Sequence, residues 1–330
     1  MTRRKFIVFS LGAGAFLLTG HTPYRQWYVY RKKRLIIVAS EADEPSLRLG
    51  EAIAQALARH LPESKALMAT AATSLDVVKL LKSEQLDVAL LGGDEAFEAS
   101  KGVERFKGWD VPLRTLAVLR PSVLHLVTLG GNGIQGVPDL KGKIVATGIP
   151  GSRTEVMLLR LLEAYGIDPD RDIRRTALAG ERAIGALKEK RVDAFGWVDL
   201  VPNGAIREMA AAPPPGVKLL DQGEALPKIA AKYGHIYHQR TIPREAYPGL
   251  PAGVGVAAVA NLLVCRDDFP KEKAYQISKT LAEHRSEVTL AGSNLGASPL
   301  PAGESPLAFH PGALQFYEGR PSPPEEERTP

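Results

Sequence analysis

Hydrophobic residues recur along this chain in two alternating patterns, one typical of buried strands and the other typical of amphipathic helices. The run RLIIVAS at residues 34–40 is short and apolar, which predicts a strand. After it, Leu49, Ile53 and Leu57 recur at helical spacing, which predicts a helix with one buried face. The alternation continues as far as a long helix expected over residues 271–291. Strands that alternate with helices predict an α/β fold with largely parallel sheets.

The remaining elements follow from the same criteria of apolar runs, helical spacing and capping residues. Strands are predicted at 87–92, 113–119, 124–129, 143–147, 192–198, 217–220 and 254–264. Helices are predicted at 74–82, 154–165, 181–190 and 206–212.

Two nine-residue segments, Leu81–Ala89 and Leu187–Phe195, share one pattern of Leu-Lys, three polar residues, an aliphatic residue, Asp and two apolar residues. Each segment ends a predicted helix and enters a predicted strand, and Asp94 or Asp199 follows. Two such units predict two similarly built lobes. Because open α/β sheets bind ligands beyond the carboxyl ends of their strands, we expect both aspartates to face a cleft.

The distribution of charge argues against nucleic-acid binding. The 330 residues are 24% charged and 45% hydrophobic, a globular composition, with a net charge of +5. Residues 1–34 contain eight Lys and Arg and no acid, so the rest of the chain carries −3 and offers no basic groove. A lone cysteine, Cys265, excludes an internal disulfide and a multi-cysteine metal site. We expect no cofactor and no metal.

The N-terminus has the features of an export signal. Arg3 and Arg4 precede an apolar stretch over residues 6–20, which resembles a twin-arginine signal. This stretch is shorter than the roughly 20 apolar residues of a transmembrane helix. We expect a periplasmic protein whose N-terminus contacts the membrane, with residues 6–20 as a candidate anchor to the inner membrane.

Two helix starts carry hydroxyl residues that suit an anion. In the second lobe a predicted strand enters a glycine-rich turn, and the next helix begins near Ser152 and Thr154. Backbone N–H groups and the positive end of a helix form a seat for a carboxylate or phosphate, and Arg153 would add a bidentate clamp. The alternative is a plain helix cap with a solvent-exposed arginine. Thr73 and Ser74 have the same arrangement in the first lobe.

Three further side chains are candidates for the cleft. Trp197 would pack the apolar stem of a ligand, with core packing as the alternative. Asp94 and Asp199 would meet an amine or orient their neighbours.

No catalytic motif emerges, so we do not expect an enzyme. The G-x-G-x-x-G pattern at residues 131–136 is followed by another strand rather than a long helix, which favours a loop. His235 and His238 have a metal-ligand spacing but lack a nearby acid cluster. Ser152 lies in a glycine-rich turn, but nothing in the sequence places a His–Asp pair beside it.

Taken together, the motifs resemble the TAXI-type solute-binding proteins of TRAP transporters over most of residues 34–319. The segments that carry the resemblance are Thr73-Ser74, Leu86-Asp87 through Asp94, Val137–Lys143, Gly148–Ser152 with Thr154, Val192–Phe195, Ile242-Pro243, Tyr247–Gly249, Asn261–Val264 and Phe309–Glu318. The resemblance implies a two-lobed periplasmic-binding-protein type II fold, in which each lobe is a mostly parallel sheet flanked by helices and a ligand cleft lies between them. It also implies capture of a small organic anion, typically a dicarboxylate or an amino acid such as glutamate. The partner would be a TRAP-type permease driven by an ion gradient.

The chain departs from this family at pocket-facing positions. The usual glutamine before the first-lobe aspartate reads Gly92, and a usual glycine reads Arg153. The segment after the first strand usually holds Gly-Gly and an aromatic residue, but here it reads SEADEPS. Its acids Glu41, Asp43 and Glu44 would repel a dianion unless they point outward.

The expected organisation therefore has five parts. Residues 1–33 form the export signal or anchor, 34–124 begin the first lobe, 125–237 form the second lobe, 238–318 return to the first, and 319–330 are a disordered tail. An alternative function is a ligand-sensing subunit on the same scaffold that docks on a membrane receptor. An exported hydrolase using Ser152 is a less favoured alternative.

Overall fold

The computed structural model describes residues 34–41, 43–212, 216–288 and 304–319. The segment predicted to be an export signal or anchor lies outside the described residues, as does nearly all of the predicted tail. Within the described ranges, no helix combines the length and apolarity that crossing a membrane requires.

Strands and helices alternate along the described chain. The strands are β1 Ile36–Ser40, β2 Leu67–Ala71, β3 Val88–Gly92, β4 Leu113–Leu129, β5 Ile144–Ala146, β6 Arg174–Thr176, β7 Ala194–Asp199, β8 Val217–Leu219, β9 Tyr237–Ile242 and β10 Val254–Arg266. The helices are α1 Glu44–His60, α2 Ser74–Lys82, α3 Gly93–Lys101, α4 Arg153–Ala164, α5 Gly180–Lys188, α6 Gly204–Ala211, α7 Leu226–Tyr233, α8 Lys271–Glu283, α9 Arg285–Val288 and α10 Pro311–Tyr317.

The described strands form one sheet in the order β2-β1-β3-β10-β4-β7-β5-β6, with β8 beside β4 and β9 beside β10. At one end, β1 lies parallel to both β2 and β3; at the other, β5 lies parallel to both β6 and β7. The long strands β4 and β10 run antiparallel to their neighbours and join the two parallel groups. The predicted α/β class with two similarly built lobes is confirmed.

The long strands cross from one lobe to the other. The early part of β4 pairs with β10 from Asn261 onwards, and the later part pairs with β7. We therefore call the described residues within 34–119 and 261–319 the first half, and the described residues within 123–258 the second half. The ladder slips between Val259 and Asn261, so Arg120 and Pro121 face the single residue Ala260.

The bulge explains why β4 is one strand where the sequence predicts two. Pro121 reads as a break because proline has no N–H to donate to a ladder. It falls at the slipped register, where no regular ladder bond is formed, and the strand continues through it.

Each half buries its own apolar core on both faces of the sheet. In the first half, the predicted helical face of Leu49, Ile53 and Leu57 is buried as expected. In the second half, Tyr247 and Val256 pack in the same cluster as Phe195. Residues 238–258 thus pack with the second half, and the chain re-enters the first half later than the boundary at 238 expected from the sequence.

Candidate functional site

Charged side chains that follow β1, β3 and β5 meet between the two halves, where all but Arg105 are buried. We call this group the interface cluster: Asp43, Asp94, Glu95, Glu98, Arg105, Arg153, Arg160 and Tyr237. Charged residues are seldom buried unless they are paired, so the arrangement of their partners decides what the cluster can do.

Arg153 enters the cluster from the glycine-rich turn between β5 and α4. Gly148 and Gly151 in this turn have φ values of 96° and 77°, which favour glycine. The Ser152 hydroxyl then accepts the N–H of Glu155 and caps α4, whose first residue is Arg153. The helix cap was predicted, but the arginine is only 3% exposed rather than solvated.

The chain's own polar groups surround the Arg153 guanidinium. Its Nη2 donates to Asp43 at 2.5 Å and to Glu95 at 2.9 Å, and both acceptors come from the first half. Its Nη1 donates to the amide oxygen of Asn261 at 2.8 Å. Arg153 Nε lies 3.9 Å from Asp94 Oδ1, and neither of these buried atoms has a hydrogen-bond partner among the described residues.

Two more arginines complete the cluster. Arg160, two turns along α4 from Arg153, donates to Glu98 at 2.6 Å and to the Tyr237 hydroxyl at 2.8 Å. Arg105 in the first half lies 3.3 Å from Glu98 and 3.4 Å from Asp94. Four carboxyl groups thus share three guanidinium groups.

This imbalance separates the pKa values of the carboxyl groups. Burial raises the pKa of Asp43 to about 6, and the neighbouring Glu95 and Asp94 add to the rise against the lowering by Arg153. Burial also acts to raise the pKa of Glu95, but Arg153 and Arg105 outweigh it and hold this pKa at about 2. Glu95 therefore carries the charge that balances Arg153, and Asp43 takes up a proton more readily than Glu95 does.

Gly92 makes room for the guanidinium. A Cβ at this position would lie 2.6 Å from Arg153 Nε and 2.6 Å from Asp94 Oδ1, closer than any normal contact. Gly92 and Arg153 are two of the positions at which the chain departs from the usual TAXI-type pattern. Because they touch, the absence of a side chain at one position accommodates the large side chain at the other.

A second contact joins the halves nearby. Arg48 of α1 forms an ion pair with Asp199, the last residue of β7. Asp199 is 1% exposed and also accepts from the Asn203 amide at 2.6 Å. Burial raises the pKa of Asp199, although Arg48 opposes this.

The structure places the other predicted residues in supporting positions. Ser152 and Thr154 flank Arg153, and the Thr154 hydroxyl accepts the N–H of Val198 and so ties α4 to β7. Thr73 is exposed and caps α2 by accepting the N–H of Asp76, whereas Ser74 is buried. Their contact with a ligand stays a prediction.

Trp197 is 8% exposed and belongs to the apolar core of the second half, in line with the core-packing alternative. Of the acids after β1, Glu41 and Glu44 are exposed, and Asp43 points inward.

Sequence reasoning missed five members of the cluster: Glu95, Glu98, Arg105, Arg160 and Tyr237. The spacing offered a signal for some of them. Arg153 and Arg160 are seven residues apart, which places both on one helix face, and Asp94 and Glu98 are four apart. Asn261 is the lone polar residue in the apolar run VAAVANLLV, a pattern that indicates a satisfied buried amide.

Comparison with solved structures supports the fold. XAC2383 from Xanthomonas citri, solved with ATP, is 11% identical, with a TM-score of 0.53 over 87% of this chain and 98% of that one. PhnD1 from Prochlorococcus marinus, solved with methylphosphonate, is 12% identical, with a TM-score of 0.50 over 76% and 84%. The periplasmic aliphatic sulphonate binding protein SsuA from Escherichia coli is 18% identical, with a TM-score of 0.46 over 89% and 87%.

The first two similarities, at low identity, concern the arrangement of the elements alone. The sequence itself matches one family model across most of its length, including most of α1 and the entire interface cluster except Asp43. The match extends over residues 47–319, and the chain belongs to the NMT1-like family.

Proposed function

We propose that this protein is an extracytoplasmic solute-binding protein that captures a small organic anion between its two halves. The two-lobed fold and the membership of the NMT1-like family support this role. The observation that carries the proposal is the position of Arg153, a buried guanidinium at the junction of the halves whose charged partners are carboxylates. A ligand carboxylate offers Arg153 the same chemistry as these side chains.

A ligand could bind by exchanging its carboxylate for one of the side-chain carboxylates that contact Arg153. Asp43 is the partner that a ligand carboxylate would replace, because its raised pKa means that its charge is poorly stabilised where it lies. Glu95, with its lowered pKa, would stay in place. The ligand then completes the coordination of Arg153 while Asp43 takes up a proton or turns towards solvent.

The two unpaired atoms beside Arg153 favour an amino acid over a dicarboxylate. Arg153 Nε requires an acceptor and Asp94 Oδ1 requires a donor, and they are 3.9 Å apart. The carboxylate and ammonium groups of an α-amino acid supply this pair. Ser152, Thr154, Thr73 and Ser74 would complete the polar lining.

Opening of the cleft would use the two crossing strands. Bending at the bulge of β4 and β10 would separate Arg153 from Asp43 and Glu95, in the way that hinge motions of two-domain binders expose their ligand sites. Trp197 and Asp199 would then lie at the second-half wall of the cleft, with Arg48 closing over Asp199.

The proposed partner is a TRAP-type permease, on the basis of the TAXI-type motifs in the sequence. Residues 1–33 would direct export and hold the protein at the inner membrane. A ligand-sensing subunit that docks on a membrane receptor is the second candidate. The observation that favours it is the internal pairing of Arg153, which gives the halves a closed arrangement built from the chain's own groups.

The test is thermal melting of the full chain with a panel of amino acids, monocarboxylates and dicarboxylates. A ligand at 100 times its Kd adds about 2.7 kcal/mol to the free energy of unfolding, which a melt detects. We expect amino acids to raise the melting temperature. If no anion does so, the solute-binding role for this class is wrong and the sensing role with another ligand gains support.

Asp43→Asn sharpens the same test. If Asp43 holds the place of the ligand carboxylate, removing its charge should tighten binding of the active ligand by about tenfold, the value of one charged hydrogen bond. Asp110→Asn is the matched control, because Asp110 is exposed and pairs with Lys82 at the surface. Weaker binding in the Asp43 variant would contradict the exchange.

A further inference from the structure

We propose that His60, His284 and Glu287 form a surface site for a divalent first-row transition metal, with Zn²⁺ as the expected occupant. The site belongs to the first half and is separate from the interface cluster. His60 ends α1, and Asp43 precedes the same helix, so about 24 Å of helix separates the two, at a rise of 1.5 Å per residue.

Three elements bring the side chains together. His60 is the last residue of α1, His284 follows α8, and Glu287 lies in α9. The imidazole rings stack with centroids 3.5 Å apart and planes inclined by 4°. Glu287 Oε1 lies 2.8 Å from His60 Nε2 and 3.9 Å from His284 Nδ1.

These separations suit a shared metal ion. One ligand atom from each residue lies within 4.8 Å of the others. A tetrahedral Zn²⁺ holds imidazole nitrogen and carboxylate oxygen at about 2.0–2.2 Å, which places the ligand atoms about 3.3 Å from one another. A ligating imidazole holds its metal in the plane of the ring, so the two stacked rings must rotate out of their parallel arrangement to share an ion. All three side chains lie at the surface, where such rotations are open to them, and a fourth position is left for water.

The donor set determines the class of metal. Two imidazole nitrogens with one carboxylate suit Zn²⁺, Co²⁺ and Ni²⁺, whereas Mg²⁺ and Ca²⁺ prefer all-oxygen sites. Arg59 donates to the other oxygen of Glu287 at 2.6 Å, a contact of the kind that orients a ligating carboxylate.

The site is accessible from solvent. The side chains of His60, His284 and Glu287 are 24%, 34% and 32% exposed. A metal can therefore enter, and replacing a histidine leaves the buried core of the first half intact.

The experiment is isothermal titration of Zn²⁺ into the full chain, made without a histidine tag and freed of metal with a chelator. We expect one Zn²⁺ per chain, and at least a tenfold weaker association for His60→Gln and for His284→Gln, because loss of an outer partner alone costs about 10–100-fold. His235→Gln is the control, since His235 is an exposed histidine elsewhere. Circular dichroism checks that the variants remain folded.

Cobalt supplies a second measurement. Co²⁺ bound at this site should give visible absorption bands that His284→Gln lacks, and Zn²⁺ should raise the melting temperature of the natural protein but not of this variant. The proposal is overturned if the natural protein binds no stoichiometric Zn²⁺, or if His235→Gln weakens binding as much as His60→Gln. Neither titration contains an organic anion, so the result is independent of the solute-binding proposal.

Discussion

The two halves of the sheet contribute mostly opposite charges to the interface cluster. After β3, the first half supplies Asp94, Glu95 and Glu98, whereas after β5 the second half supplies Arg153 and Arg160. Arg105 pairs with these acids within the first half, but Arg153 and Arg160 take their carboxylate partners from across the junction, and without the first half they would lack them. The difference shows that the halves are complementary to each other, so a solute that bound in this cluster would have to exchange with groups that already balance one another.

The largest effect on this complementarity is expected from removing the charge that Arg153 of the second half contributes. Arg153→Met should lower the free energy of unfolding by about 3–5 kcal/mol, because it leaves Asp43 and Glu95 as buried acids with one partner fewer. Urea denaturation measures the loss. Arg171→Met is the control, since Arg171 has a side chain that is 84% exposed. A loss below about 1 kcal/mol would mean that the halves do not depend on this pairing.

The next test separates the two first-half acids that contact Arg153. Glu95→Gln should lower the free energy of unfolding by about 3 kcal/mol, because the pKa of Glu95 is held at about 2 by the arginines and its charge is therefore stabilised. Glu51→Gln, at an exposed position on α1, should change little. Asp43→Asn should not destabilise the protein at pH 7.5. Equal losses for Glu95→Gln and Asp43→Asn would contradict the division of roles.

The pH dependence sharpens this contrast. Burial raises the pKa of Asp43 from 3.8 to about 6, so the folded state binds the extra proton, and stability falls as the pH rises through this range. His125 acts in the opposite sense, because burial lowers its pKa to about 4 and stability rises with pH up to about 6.5. The natural protein and Asp43→Asn share His125, so their difference isolates Asp43.

We expect the stability of Asp43→Asn relative to the natural protein to increase by about 1 kcal/mol between pH 5 and pH 7.5. Chemical denaturation at the two pH values measures it. A difference that stays constant with pH would show that Asp43 is ionised throughout and equivalent to Glu95.

The smallest effect is expected at the edge of the first half. Thr73→Ala should lower the free energy of unfolding by about 1 kcal/mol, because it removes the cap of α2. Thr73→Ser keeps the cap and is the matched control. If Thr73 also lines the ligand site, its alanine variant should bind the solute less tightly. An unchanged Kd would leave Thr73 with the capping role alone.

The fold was more accessible from the sequence than the site. Helix α1 and strand β7 were predicted because an apolar period needs only local information. The continuous strand β4, which crosses between the halves, was not predicted, because Pro121 indicates a break in the strand unless the register of β10 is known. The pairing of Arg153 with Asp43 joins residues 110 positions apart, and no local pattern reports such a contact.

The side chain of Asn261, in β10, lies close to the point about which the two halves would rotate. Asn261 accepts from Arg153 and donates to the Arg120 carbonyl and the Ser122 hydroxyl, all close to the bulge where the sheet would bend. When two bodies rotate about a line, atoms on that line move least. Opening would therefore move Asp43 away from Arg153, while Asn261 would keep its hydrogen bond to Arg153. The Arg153 guanidinium would therefore stay oriented when a solute arrives, because its hydrogen bond to Asn261 would still be formed.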